Sequence, residues 1–266
     1  MLNPYALPEK IDSLNECNFY HTMEIPGHGV VKGHWDLRPN IDKYLGEVDL
    51  RGKRVLELGT ASGYVCFAME SRGAEVVAFD LPEDTSADVV PFARSDWQKR
   101  VTEYKVFMRQ IRNGFWFAHR ALQSRAKVVY GTVYDVPEGI GVVDVAVFGA
   151  ILRHLRDPFL ALQSALRLTR ETVIVTEPET RPAKPRWPKS LLSRRASADR
   201  LVFAPDAASG GPETTWWNLS PGIVRRFLAV LGFETAEVKR HFQKQEGGDD
   251  VPFFTVVARR TVSMRG

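Results

Sequence analysis

Apolar positions along this chain gather into short unbroken runs, separated by glycine turns and by longer stretches of helical periodicity. RVLEL (54–58), AEVVAF (74–79), KVVY (127–130), VDVAVF (143–148) and TVIVTE (172–177) have strand length and little alternation. Such runs suit strands covered on both faces, as in a parallel sheet. Between the first two, Tyr64 to Ser71 places Val65, Ala68 and Met69 on one helical stripe. Strand, glycine turn, helix and strand in immediate succession make a βαβ unit. The alternation continues through helices predicted over 158–168 and 221–231, the second opened by Ser220 as N-cap with Pro221 at the first position. The pattern then changes. FETAEVKRHF (233–242) and PFFTVVARRT (252–261) are joined only by QKQEGGDDV, which leaves no room for a crossover helix and predicts an antiparallel pair. The expected fold class is therefore α/β: a mostly parallel seven-stranded sheet with an antiparallel C-terminal strand and helices on both faces.

Two stretches exceed that core. Within 82–126, Trp97, Val101, Tyr104, Met108 and Ile111 recur at helical spacing and predict an extra amphipathic helix. The aromatic residues of NGFWFAHRAL (113–122) are expected in the core. Residues 178–220 are rich in Pro, Ser, Gly and Arg and show no periodicity. Insertions at the carboxyl ends of parallel strands overhang the ligand crevice, so both are expected to form a lid. Residues 1–50 are expected to form an arm over the site, and 51–266 the main domain.

At 266 residues, 44% hydrophobic and 26% charged, the chain suits one folded α/β domain with appendages. No apolar run reaches the roughly 18–20 residues that span a bilayer, and the opening MLNPYALPEK has no signal-peptide layout. The expectation is a cytoplasmic protein without membrane partners. Cys17 and Cys66 make neither a disulfide framework nor a zinc site. A net charge of +4 decides little, but its excess concentrates in 181–200, where seven basic residues face Asp199 alone.

Glu57-Leu58-Gly59-Thr60-Ala61-Ser62-Gly63 carries the chemistry. Gly59 permits a sharp turn off the strand, Ala61 and Gly63 let a ligand approach backbone, and the next helix begins with unpaired N–H groups. A dinucleotide fingerprint needs glycine at its first, third and sixth positions; here Gly59, Ala61 and Tyr64 stand there. Tyr64 would obstruct the close helix approach, which argues against NAD or FAD. Asp80, at the tip of the second strand, is placed to accept hydrogen bonds from ribose hydroxyls, or else to cap its own turn.

Glu57-x-Gly59-x-x-x-Gly63, Asp80, GTVYDVP (131–137) and FGAILRHLRDP (148–158), in that order, resemble the class I, Rossmann-like S-adenosylmethionine-dependent methyltransferases. YHTMEIPGHGVVKGHWD (20–36), read with the motif, looks like the subgroup of wobble-uridine tRNA carboxymethyltransferases and related uncharacterised bacterial methyltransferases; the likeness spans roughly 18–180. It implies S-adenosylmethionine as cofactor, held by Glu57, Gly59, Thr60, Ala61, Gly63, Asp80 and Leu81. It also implies Thr132 and Val133 beside the adenine and Gly149 and Ala150 beside the methionine moiety. Alanine replaces the motif's central glycine. The acid common at the Thr132 position is missing, which leaves backbone groups or Asp135, itself equally a turn former, to meet the adenine.

Methyl transfer is an in-line displacement that asks the protein to align a nucleophile and, where needed, take its proton. His154 is the first candidate base, with a loop-backbone contact as the alternative. His21 and His34 are further candidates, while His28, Trp35, Trp216 and Trp217 are candidate substrate contacts. His21, His28 and His34 match no standard ligand spacing, so no metal is expected. The leading expectation is O- or N-methylation of a small molecule. A tRNA-modifying enzyme, using the basic 181–200 stretch on phosphates, and a non-catalytic cofactor-binding protein are the alternatives. Oligomeric state is open.

Overall fold

A computed structural model describes residues 3–93, 96–179 and 199–262. The five apolar runs form β4 (Arg54–Leu58), β5 (Glu75–Asp80), β6 (Lys127–Tyr130), β7 (Val143–Gly149) and β8 (Thr169–Pro178), all parallel. The C-terminal runs form the hairpin β11 (Thr235–Gln245) and β12 (Asp250–Arg259). Only β12 of this hairpin opposes the parallel set: it lies between β8 and β11, antiparallel to both, so β11 points with the others.

The sheet has eight strands rather than seven, in the order β3-β11-β12-β8-β7-β4-β5-β6. The additional strand, β3 (Trp35–Asp36), comes from the N-terminal arm and pairs antiparallel with the end of β11. Two residues are too few for any periodicity to show. The arm also forms the small hairpin β1 (Met23–Ile25) and β2 (Gly29–Val31).

Alternate strand residues feed two cores. Leu56, Leu58, Val77 and Phe79 pack on one face with Leu162 and Leu166 of α4 (Pro158–Leu166) and Val224 and Leu228 of α5 (Pro221–Val230). On the other face, Val55, Val76 and Ala78 pack with α1 (Ile41–Tyr44), α2 (Tyr64–Glu70) and α3 (Trp97–Ala121). Phe79 and Phe148 are fully buried, each worth roughly 1.5–3 kcal/mol of apolar transfer. Caps fix the helix starts: Ser220 accepts from the Ile223 amide, Asp157 from that of Leu160 and Asp96 from that of Lys99.

The amphipathic stripe and NGFWFAHRA make one helix, α3, of 25 residues. Its second half is core, with Ile111, Phe115 and Trp116 buried. Its first half differs: Trp97 is 44% exposed, while Tyr104, Phe107 and Met108 line a cavity that Ile111 also reaches. The apolar stripe there faces a binding space as well as the core. In the second insertion, the described part forms the hairpin β9 (Leu201–Phe203) and β10 (Trp217–Leu219). The basic stretch lies outside the described residues except for Asp199 and Arg200. Among the described residues, no helix is long and apolar enough to cross a membrane.

Candidate functional site

A cavity of about 690 Å³ opens at the carboxyl ends of the parallel strands. One wall is centred on a single βαβ unit. After β4, Gly59 turns with φ 77°, and a Cβ there would lie 2.6 Å from Ile151 Cδ1. Ala61 follows with φ 49°, a left-handed conformation disfavoured for any residue with a Cβ. It is held there by Asp80, whose Oδ2 accepts from the Ala61 amide and whose Oδ1 accepts from the Leu81 amide, each at 2.7 Å. Asp80 therefore caps the turn and lines the cavity, so the two sequence readings of this residue are compatible. Burial raises its pKa above the usual carboxylate range despite those two bonds. Beneath the loop, Glu57 accepts from the Thr60 hydroxyl at 2.7 Å, and burial pushes its carboxyl up to about 8. Thr132 and Val133, Gly149 and Ala150 complete this wall. At Gly149 a Cβ would lie 2.8 Å from the Tyr44 hydroxyl oxygen, so glycine there makes room for the Tyr44 side chain.

The facing wall is assembled from distant segments. Tyr20, His21, His34 and Trp35 come from the arm, Tyr104 and Phe107 from α3, and Thr214 and Thr215 from the second insertion. Ser62 joins the walls: its hydroxyl oxygen accepts from the amides of Tyr20 and His21 at 2.9 and 3.4 Å, pinning the arm to the motif loop. The 3₁₀ turn Leu152–His154, after β7, supplies Arg153 and His154. Glu177, at the end of β8, braces that turn by accepting from the Leu152 amide at 2.8 Å, and burial pushes its carboxyl up to about 7.

The histidines differ in state. His154 Nδ1 bonds to the Thr214 carbonyl oxygen, so Nδ1 carries the proton and Nε2 the free electron pair. Burial lowers its pKa to about 4, leaving it uncharged at neutrality. His21 is buried more deeply, with Nδ1 unpartnered, and burial lowers it to about 3. His34 packs between the rings of Tyr20 and Phe107.

Of the residues singled out in sequence, His21, His34, Trp35, Gly59, Ala61, Asp80, Leu81, Thr132, Val133, Gly149, Ala150 and His154 line this cavity. Glu57, Thr60 and Gly63 do not; the first two support the loop from below, and Gly63 is the N-cap of α2. His28 lies in the β1–β2 turn with its ring edge-to-face on Phe117, outside the cavity. Trp216 and Trp217 also lie outside the lining, because their indole N–H groups turn to the carbonyls of Asp88 and Arg156. Ser62, Tyr20, Tyr44, Arg153 and Glu177 went unnoticed in the sequence. Arg153 had a visible signal, a charge beside His154 in an otherwise apolar post-strand segment. Among the described residues, no group of three or more His, Cys, Asp or Glu is placed to hold a metal.

Comparison with the curated proteins finds no sequence match. Solved structures of similar fold include the N-terminal domain of EvdMO1 with SAH bound, at 14% identity over 92% of this chain and 93% of that one, with a TM-score of 0.53. Magnesium protoporphyrin IX methyltransferase (ChlM) from Synechocystis PCC 6803, with bound SAH, shares 13% identity over 85% and 82% of the two chains, with a TM-score of 0.50. An S-adenosylmethionine-dependent methyltransferase from Methanosarcina mazei shares 16% over 85% and 98%, also with a TM-score of 0.50. At these identities the likeness is one of fold. The sequence goes further: residues 34–202, more than half of the 266, match a methyltransferase-domain family, and the chain belongs to that family.

Proposed function

We propose that this protein transfers the methyl group of S-adenosylmethionine to an oxygen or nitrogen of a small-molecule acceptor. The observation that carries the reading is the cavity itself: about 690 Å³, roofed by the arm and α3, and within the roughly 300–1,000 Å³ typical of small-molecule sites. The cofactor fits the local wall. Asp80 and Leu81 meet the ribose, Thr132 and Val133 flank the adenine, and the cavity-lining Gly59 and Gly149 stand beside the methionine end. When bound, the cofactor supplies an electrophilic sulfonium methyl. The remaining space, between His34, Tyr104, His154 and Thr214, takes the acceptor.

The protein's own contribution is alignment and the exclusion of water. His154 is uncharged at neutral pH and accepts a proton at Nε2. A base this weak serves late in the reaction, on an acceptor atom made acidic by its own methylation. Aromatic faces from the arm and α3 favour a flat acceptor.

The tRNA alternative draws on the basic 181–200 stretch, which the described residues reach only at Asp199 and Arg200. Incubation with methyl-labelled S-adenosylmethionine, a metabolite extract and total tRNA separates the two. Label in the small-molecule fraction is expected; label confined to tRNA overturns the proposal. Calorimetry should show binding of S-adenosylhomocysteine and none of NADH.

A further inference from the structure

Among the described residues, Arg153 is the one arginine or lysine that lines the main cavity. Its surroundings satisfy it only in part. Its Nε is buried without a partner, and no described carboxylate forms an ion pair with it. The two acids on the cavity wall are already engaged. Asp80 holds the Ala61 and Leu81 amides, and Asp88 accepts from the Tyr134 hydroxyl and the Arg156 amide. Glu177 is the neighbouring carboxylate and its charge acts on Arg153, yet no ion-pair contact forms: its Oε1 accepts from the Leu152 amide, and its Oε2 is buried without a hydrogen-bond partner. An arginine stays charged at any pH the protein meets, whereas burial pushes the neighbouring Glu177 carboxyl up to about 7, so the guanidinium is only partly compensated and a ligand's negative charge would complete its partnership.

The position of Arg153 indicates which ligand. The chain leaves the proposed cofactor wall at Gly149 and Ala150, and by Arg153 it has joined the opposite wall. The Arg153 carbonyl accepts from the Trp216 amide at 2.8 Å, and His154 bonds to Thr214. Tyr20, on the arm, lies close enough for the guanidinium to act on its hydroxyl and adds a second donor to the same corner. A planar fork of N–H donors beside a hydroxyl matches a carboxylate held through both oxygens.

We propose that Arg153 anchors a carboxylate carried by the acceptor, so that the methylated molecule is an organic acid oriented by this pair. The proposal rests on the methyl-transfer reading above. It fixes the polar end of the acceptor at Arg153 and leaves its aromatic or apolar body against Tyr104 and Phe107.

The test uses the full chain loaded with S-adenosylhomocysteine and titrated with benzoate and with benzamide, which share a shape and differ in charge. Benzoate is expected to bind at least about tenfold more tightly than benzamide. Arg153→Gln should abolish that preference while S-adenosylhomocysteine affinity stays within about twofold, and Arg153→Lys should restore part of it. Equal binding of the two probes by the wild type overturns the proposal without reference to any variant. So does an Arg153→Gln protein that keeps the preference. A variant that binds S-adenosylhomocysteine about tenfold more weakly but 5′-methylthioadenosine normally also overturns it, by assigning Arg153 to the cofactor's own carboxylate. Absence of S-adenosylhomocysteine binding in the wild type is a different failure: it removes the methyl-transfer reading, and this inference falls with it.

Discussion

On one side of the cavity, residues 57–63 and Asp80 shape a surface from backbone and one carboxylate, within a single βαβ unit. On the other, Tyr20, His34, Tyr104, Arg153 and Thr214 converge from the arm, α3, the post-β7 turn and the second insertion. The first wall is specified by conformation, since it needs positive φ and small residues. The second is specified by side chains, since it needs particular groups brought together over long separations. A cofactor that never changes suits the first kind of wall, and an acceptor that distinguishes one enzyme from another suits the second.

The largest expected difference between the walls is in their response to pH. His154 is held near 4, against about 6.5 when unfolded. The unfolded chain therefore gains a proton there first as pH falls, and stability is lost between about 6.5 and 4 at up to about 1.4 kcal/mol per unit. Glu57 has the opposite sign: raised to about 8, it contributes fully below its unfolded value and loses that contribution as pH rises from about 4.5 to 8. Urea midpoints for wild type, His154→Gln and Glu57→Gln across pH isolate each group. The stability gap to His154→Gln should close on acidification, and that to Glu57→Gln on alkalisation; parallel curves would remove the contrast.

Asp80→Ala comes next. It deletes a carboxylate that holds two amides and is proposed to meet the ribose, so S-adenosylhomocysteine affinity should fall by about 100-fold, read by calorimetry. Retained affinity would place the nucleoside elsewhere. Ser62→Ala probes the join between the walls. Two amides, one buried and one partly buried, lose their acceptor, costing about 1–3 kcal/mol, with faster hydrogen exchange at Tyr20 and His21 as the local readout. Smallest is His28→Ala, which removes an aromatic contact worth about 0.5–1.5 kcal/mol and should leave methyl transfer unchanged. A large loss of activity there would mean the arm's hairpin reaches the acceptor.

The same contrast explains what the sequence disclosed. Strands β4 to β8 were legible because burial on both faces leaves continuous apolar runs, and the motif loop because its conformational demands act on neighbouring residues. The facing wall was legible only as residue types. His21, His34 and Trp35 reach the cavity, but His28, in the β1–β2 turn of the same arm, packs onto Phe117. Trp216 and Trp217 satisfy their indole N–H groups on loop carbonyls, which no spacing rule foretells. Ser62 was invisible for another reason: a small residue in a small-residue loop gives no sign that its hydroxyl serves a segment 41 positions away. The stripe misled because helical period does not say what a face meets: Trp97 is 44% exposed, while Tyr104, Met108 and Ile111 line the cavity.

Ala61 gives the first wall one further property. Its left-handed backbone costs about 1–2 kcal/mol and persists because Asp80 grips its amide. On the proposed reading, a ribose that shares the Asp80 oxygens would draw on the same grip. Loop geometry and nucleoside occupancy would then be thermodynamically linked, the bound ligand setting the tension of the loop as much as the loop sets the fit of the ligand.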